Sequence, residues 1–144
     1  MRLNSDLIQK SAHYLNPLGQ FHLDLRGYRI PYLENLAATN DQYACIDLTD
    51  NDITKIEELP QLLRLETLML SNNRISRISK DFAAVCPKLE NIILTGNRLA
   101  SFSELENLPK QLKRLVCLDN IVYNLPNYRS YLIYRFPLLK MLDY

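Results

Sequence analysis

The stretch Leu65-Glu-Thr-Leu68-Met-Leu70-Ser-Asn-Asn73-Arg-Ile75 is answered by Leu89-Glu-Asn-Ile92-Ile-Leu94-Thr-Gly-Asn97-Arg-Leu99, with each apolar residue and the asparagine returning 24 positions later. Working outward, Tyr43, Ile46, Leu48, Asn51 and Ile53 repeat the spacing before this pair, and Leu112, Leu115, Cys117, Asn120 and Val122 repeat it after. The four asparagines stand 22, 24 and 23 residues apart. A degenerate fifth copy, Leu23-Asp-Leu25-Arg-Gly-Tyr28-Arg-Ile30, puts tyrosine 23 residues ahead of Asn51. Self-similarity at a period near 23 marks a stacked-repeat architecture.

Apolar residues two apart face the same side of a short strand, so each copy contributes one strand with its alternate positions outward. An asparagine amide carries two donor hydrogens and an acceptor oxygen, which suits Asn51, Asn73, Asn97 and Asn120 to satisfying backbone groups where the chain bends off the sheet. This is the leucine-rich-repeat pattern. It predicts an α/β solenoid of about five repeats with a parallel concave sheet, closed on the convex side by segments such as 55–59 and 81–85. One domain spans 1–144: an N-terminal cap over 1–19, repeats over 20–122 and a C-terminal cap over 123–144. In the first cap Asn4 or Ser5 opens a helix carrying Leu7, Ile8, Ala12 and Leu15, stopped near Pro17 and Gly19. In the last, Tyr128 to Phe136 form a tyrosine-rich helix ended by Pro137, with Leu139 and Leu142 following. The tyrosines have two readings, packing with wet hydroxyls or base stacking.

The chain has 144 residues, 17 Lys+Arg, 16 Asp+Glu and a formal charge of +1. That lacks the basic excess of an autonomous nucleic-acid binder, so any RNA role calls for a partner. No run of about 18 apolar residues offers a membrane-spanning helix, and the start MRLNSDLIQK lacks a secretory layout, so an intracellular protein is expected. Cys45, Cys86 and Cys117 are widely spaced and only His13 and His22 accompany them, which argues for buried thiols rather than a metal site. The three glycines form neither GxGxxG nor a P-loop, and HExxH is absent, so no cofactor and no catalytic residue is expected.

Five strands at about 4.8 Å spacing make a trough roughly 20 Å wide, room for one helix about 10 to 12 Å across. Its outward rungs are Asp24, Asp47, Met69, Ile93 and Val116, flanked by Arg26, Thr49, Ser71, Thr95 and Leu118. Met69, Ile93, Val116 and Leu118 would face solvent as an apolar patch, which usually means a partner; the alternative is cover by the chain's own cap. Asp24 and Asp47 on a flat solvated strand have no pocket to separate their pKa values for acid/base catalysis, and salt bridges to a basic helix suit them better. Arg29, Arg74 and Arg98 share the slot after the turn residue, with Arg26 beside Arg29, a row suited either to phosphates or simply to a solvated turn.

Residues 22–53, above all LDLRGYRIP at 23–31, resemble the A′ family of the U2 small nuclear ribonucleoprotein. The likeness continues through LLRLETLMLSNNRISRI at 62–78 and NYRSYLIYRFPLLKMLDY at 127–144. The resemblance implies a nuclear, non-enzymatic splicing component that pairs with the RNA-recognition-motif protein B-double-prime and joins it on a U2 RNA stem-loop. It implies that the concave face, Asp24, Asp47, Thr49, Met69, Ser71, Ile93, Thr95, Val116 and Leu118, holds a partner helix. It makes Arg26 and Arg29 candidates for RNA contact, and implies a charged tail beyond the last cap in relatives. The rival reading is a phosphatase- or microtubule-associated leucine-rich-repeat adaptor without an RNA role, which leaves LDLRGYRIP unexplained.

Overall fold

Every inward apolar position of the repeats is buried, from Leu23, Leu25 and Ile30 through Leu112, Leu115, Cys117 and Val122. No repeat could bury this stripe alone, so stacking neighbours is what makes the fold stable. The computed structural model describes residues 1–17 and 19–143; Leu18 in the first cap and Tyr144 at the end lie outside the described residues. In chain order the elements are α1 (Ser5–Lys10), β1 (Ala12–Leu15), β2 (Phe21–Asp24), β3 (Cys45–Asp47), β4 (Lys55–Ile56), β5 (Thr67–Met69), β6 (Arg77–Ile78), α2 (Phe82–Val85), β7 (Asn91–Ile93), α3 (Phe102–Leu105), β8 (Arg114–Val116), α4 (Tyr128–Arg135) and β9 (Met141–Leu142). Seven strands form the concave sheet in the order β1-β2-β3-β5-β7-β8-β9, parallel except where β1 runs against β2. On the convex side β4 and β6 pair in parallel, and α2 and α3 lay Phe82 and Leu105 on the core.

The asparagines act as staples between repeats. Asn73 donates through Nδ2 to the carbonyls of Leu48, Leu70 and Ser71 at 3.0, 3.1 and 3.2 Å, and its Oδ1 accepts from Ile53 N–H at 3.1 Å. Asn97 and Asn120 repeat the arrangement one and two copies on, and Asn51 reaches back to the degenerate copy. Immediately before each staple the backbone enters the left-handed region, at Asp50, Asn72, Gly96 and Asp119, and it does so at Gly27 before Tyr28 of the degenerate copy. These residue types tolerate that conformation best. At Gly96 the need is steric as well, since a Cβ there would sit 2.5 Å from Asn72 Oδ1.

The N-terminal cap differs from expectation. Asn4 does cap the helix, its Oδ1 accepting from Leu7 N–H at 2.9 Å, but the helix ends at Lys10, where the Ser11 hydroxyl bonds Leu7 O at 2.6 Å. Ala12 and Leu15 are therefore exposed residues of an antiparallel edge strand, not a helix face. The Asn16–Gln20 turn, closed by Asn16 N–H to Gln20 O and Gln20 N–H to Asn16 Oδ1, makes a hairpin where a helix stop was expected. The hairpin pairs the outer edge of β2, which would otherwise expose unpaired backbone groups.

At the other end α4 buries Tyr128, Leu132 and, just beyond it, Phe136, while β9 adds one more parallel strand. Tyr131 stacks on Phe102 with centroids 4.4 Å apart, and Tyr128 donates to Asp143, so these two tyrosines pack. Tyr134 points to solvent.

Candidate interface on the concave sheet

Parallel pairing puts Asp24, Asp47, Met69, Ile93 and Val116 in one register across β2, β3, β5, β7 and β8. The rungs are unequal. Met69 and Ile93 are half-buried at the centre, whereas Val116 is 3% exposed, so it does not face solvent as the sequence suggested. Asp143, the residue after β9, donates its N–H to Leu115 O, and its carboxylate accepts Cys117 N–H at 2.7 Å, on either side of Val116 in the chain. The C-terminal cap thus brackets this rung from the edge of the sheet. The exposed apolar surface reduces to Met69, Ile93 and the half-buried Leu118, and Leu118 opens onto a depression of about 820 Å³ walled by Tyr123, Leu125 and Ile133.

The acidic rungs are also partly occupied. Each carboxylate accepts the N–H two residues on, Asp24 from Arg26 at 3.1 Å and Asp47 from Thr49 at 3.0 Å, an Asx turn that explains aspartate at the strand end. The Arg26 guanidinium then lies on Asp24 with two contacts of 3.0 Å, and its Nε is 3.8 Å from Asp47. Arg26 holds the Asp24 carboxyl below its usual range, chiefly through that side-chain hydrogen bond. Asp47 itself is 8% exposed. The pair expected to receive a partner's cation therefore already holds one of its own.

Thr49, Ser71, Thr95 and Leu118 form the adjacent half-buried row. A further row precedes the rungs and was not read from the sequence: His22, Cys45, Thr67, Asn91 and Arg114 are in register one step before the inward residue of each strand. Its signal was present in the period-two alternation. His22 is covered by Tyr14, with centroids 4.6 Å apart, and Cys45 is buried, but Thr67, Asn91 and Arg114 reach the surface, with Asn91 Nδ2 donating to Thr67 Oγ1 at 3.2 Å. The centre of the trough is thus apolar Met69 and Ile93 bordered by small hydrogen-bonding side chains on both flanks.

Arg29 is exposed, left-handed at φ 54°, and makes no ion pair among the described residues. The backbone there is pinned because Asn51 Oδ1 accepts from both Tyr28 and Ile30 N–H, and the Met1 ammonium donates to Arg29 O. The rim row of arginines is interrupted, since Asp52 holds the slot between Arg29 and Arg74 and lies 3.7 Å from Arg74. Elsewhere Cys45, Cys86 and Cys117 are buried, their thiols pushed up to about 12 by desolvation first and a nearby aspartate second, which leaves them neutral.

The leucine-rich-repeat family profile matches residues 1–144. Over its whole length the chain is 49% identical to the probable U2 small nuclear ribonucleoprotein A′ of Drosophila melanogaster, 45% to the A′ protein of Arabidopsis thaliana and 43% to that of Homo sapiens. It spans 55%, 59% and 57% of the lengths of those relatives. The crystal structure of the Drosophila melanogaster SNF/U2A′ complex matches 99% of this chain and 83% of its own at 50% identity, with a TM-score of 0.96. A leucine-rich-repeat protein of Leptospira interrogans shares the fold at 22% identity and a TM-score of 0.54.

Proposed function

Because the chain belongs to the leucine-rich-repeat family of U2 small nuclear ribonucleoprotein A′ proteins, we propose that it is a non-enzymatic, nuclear component of that particle, working as a heterodimer. The partner is an RNA-recognition-motif protein of the B-double-prime type, seated by one helix on the concave sheet. The pair, rather than this chain alone, engages a U2 RNA stem-loop during pre-mRNA splicing. The observation that carries the reading is the half-exposed pair Met69 and Ile93 at the centre of a helix-wide trough, in a fold superposing on the A′ protein of a solved complex.

Thr49, Ser71, Thr95 and Leu118 border that contact, with Asp47 and the capped Val116 as its floor. The opposite border, Thr67 and Asn91, joins the interface on the same argument. Central apolar anchors ringed by polar contacts are the usual layout of a binding hot spot. Arg29, whose charge is unspent, faces phosphate; Arg26 does so only after leaving Asp24. With a formal charge of +1 the chain supplies few phosphate contacts, so most electrostatic affinity for RNA comes from the partner. The family assignment favours this over the phosphatase- or microtubule-associated adaptor.

The test is to mix the chain with its cognate RNA-recognition-motif protein and the stem-loop, and follow light scattering on a sizing column. A one-to-one protein pair that binds RNA more tightly than either member is expected. Absence of pairing at low salt, or equal RNA affinity of the isolated chain, overturns the proposal.

A further inference from the structure

The convex side, remote from the trough, carries a second recognition feature. Behind β4 lies a depression of about 320 Å³ with Ile56 and Phe82 as its buried floor and Leu59 and Val85 as half-buried walls. A neighbouring depression of about 270 Å³ is bounded by Tyr32 and Leu33, and the two share Glu57 and Glu58 as the ridge between them. Tyr32 is one of the most exposed aromatic side chains of the protein, at 62%.

The charges around this ridge do not balance. Glu57, Glu58 and Asp81 have no cationic partner among the described residues, while Glu34 is already paired with Arg2 and Lys55 is the only cation lining either depression. Three carboxylates without an ion pair thus line these hollows beside one ammonium; the first hollow is mainly apolar and the second mixed.

We infer that this groove binds a short extended segment of a partner protein in which one or two basic residues are flanked by aliphatic side chains. The cations lie over Glu57 and Glu58, and the aliphatic groups fill the hollows against Phe82 and Tyr32. An extended chain spaces alternate side chains about 6.5 to 7 Å apart, a reach suited to straddling a ridge of two residues. A nucleic acid is repelled by the same carboxylates. Because the groove lies on the face opposite the trough, its occupation is compatible with the heterodimer and independent of it.

The test uses the whole chain, isotopically labelled, titrated with the peptide acetyl-Leu-Lys-Arg-Leu-amide and followed by amide chemical shifts. Shifts confined to residues 32–34, 55–59 and 79–85 are expected, with at least a tenfold loss of affinity in the double variant Glu57→Lys, Glu58→Lys and in Ala84→Trp, which fills the first hollow from its exposed lip. A control peptide with serine for leucine should bind at least tenfold more weakly. Circular dichroism establishes that the variants fold, and unaltered pairing of the trough with its own partner shows that the two faces are separate. The inference is overturned by shifts at the Met69 and Ile93 amides instead, by equal binding of the serine peptide, or by no shift at about 5 mM peptide, a concentration that populates any complex with a Kd near 1 mM. Concentration-dependent shifts at the same residues without peptide also overturn it, assigning the groove to a second copy of the chain.

Discussion

The guanidinium of Arg26 lies on the carboxylate of Asp24 through two contacts of 3.0 Å and reaches to within 3.8 Å of Asp47. Arg26 is thereby a neutralised residue in the isolated chain, and Asp24 a carboxylate held in its charged form. The sign of the linkage follows. A carboxyl whose folded pKa lies below its ordinary value near 3.9 adds stability above that value and loses it as pH falls through the lowered one. We expect Asp24, followed by carbon NMR of its carboxyl, to titrate below the usual aspartate range, and to return toward it in Arg26→Ala. Because the pair is largely solvated, the stability change at neutral pH should be small. An unshifted titration in the native protein would show that the guanidinium does not stay on Asp24 in solution.

Two glycines with the same left-handed backbone should respond differently to a methyl group. Gly27 at φ 74° has open space where a Cβ would go, so Gly27→Ala carries only the conformational penalty, about 1 kcal/mol. At Gly96, φ 71°, the Cβ also meets Asn72 Oδ1 at 2.5 Å, and Asn72 is tied to Asp50 by a hydrogen bond of 3.0 Å. Gly96→Ala should therefore cost more, about 2 to 3 kcal/mol in urea unfolding. Equal losses would mean that the Asn72 side chain swings away freely.

Removing a staple should be worse than removing a glycine. Asn97→Ala leaves the buried N–H of Ile75 without its acceptor and takes one of two amide donors from the carbonyls of Leu70 and Leu94, which keep Asn73 and Asn120, and the expected loss is about 3 to 5 kcal/mol in the same unfolding measurement. Asn97→Asp keeps the acceptor for Ile75 but puts a carboxylate against two carbonyl oxygens, so it should be at least as damaging at neutral pH and partly relieved at low pH. A loss under 1 kcal/mol for either variant would assign the turn's stability elsewhere.

The staples and the inward leucines were legible in the sequence because they recur at fixed offsets, and recurrence is independent of tertiary detail. What was not legible depended on partners far along the chain. Ala12 and Leu15 read as one side of a helix from local spacing, yet the unpaired edge of β2 recruits them into a strand. Val116 follows the same outward alternation as Met69, yet it is buried, on the strand whose far edge β9 returns to pair. Arg26 and Asp24 are two residues apart, but whether the side chains meet depends on the turn that rotates Arg26 back over the sheet. Of the site, the register of the rungs was available in advance; the state of charge along it was not.

The anchors of the proposed partner contact make a sharper test than its charges. Met69→Glu or Ile93→Arg places an unpaired charge at the dry centre of an interface, which costs several kcal/mol there, while in the free chain both side chains already touch water. Pairing measured by calorimetry should fall by at least a hundredfold with the unfolding midpoint of the isolated chain nearly unchanged. Val116→Glu should instead destabilise the chain itself, because that rung is buried before any partner arrives. Unchanged affinity of the first two variants would move the interface off the trough.

Arg26 and Arg29 make opposite predictions for RNA although they are three residues apart. Arg29 makes no ion pair among the described residues, so Arg29→Glu should weaken the ternary complex and reduce the slope of log affinity against log salt by about 1, the signature of one lost phosphate contact. Arg26 must first leave Asp24, so its contribution depends on what replaces it. If a cation of the partner settles on Asp24 and Asp47, Arg26 is released toward phosphate, and Arg26→Glu should flatten the slope only when the partner is present. Asp24→Asn removes the competing carboxylate and should steepen the slope for the chain alone. Filter binding over a salt series, with and without the partner, separates these outcomes. A slope insensitive to Asp24→Asn and to Arg26→Glu in the ternary complex would leave Arg26 as a strand-end brace and Arg29 as the sole phosphate contact of this repeat.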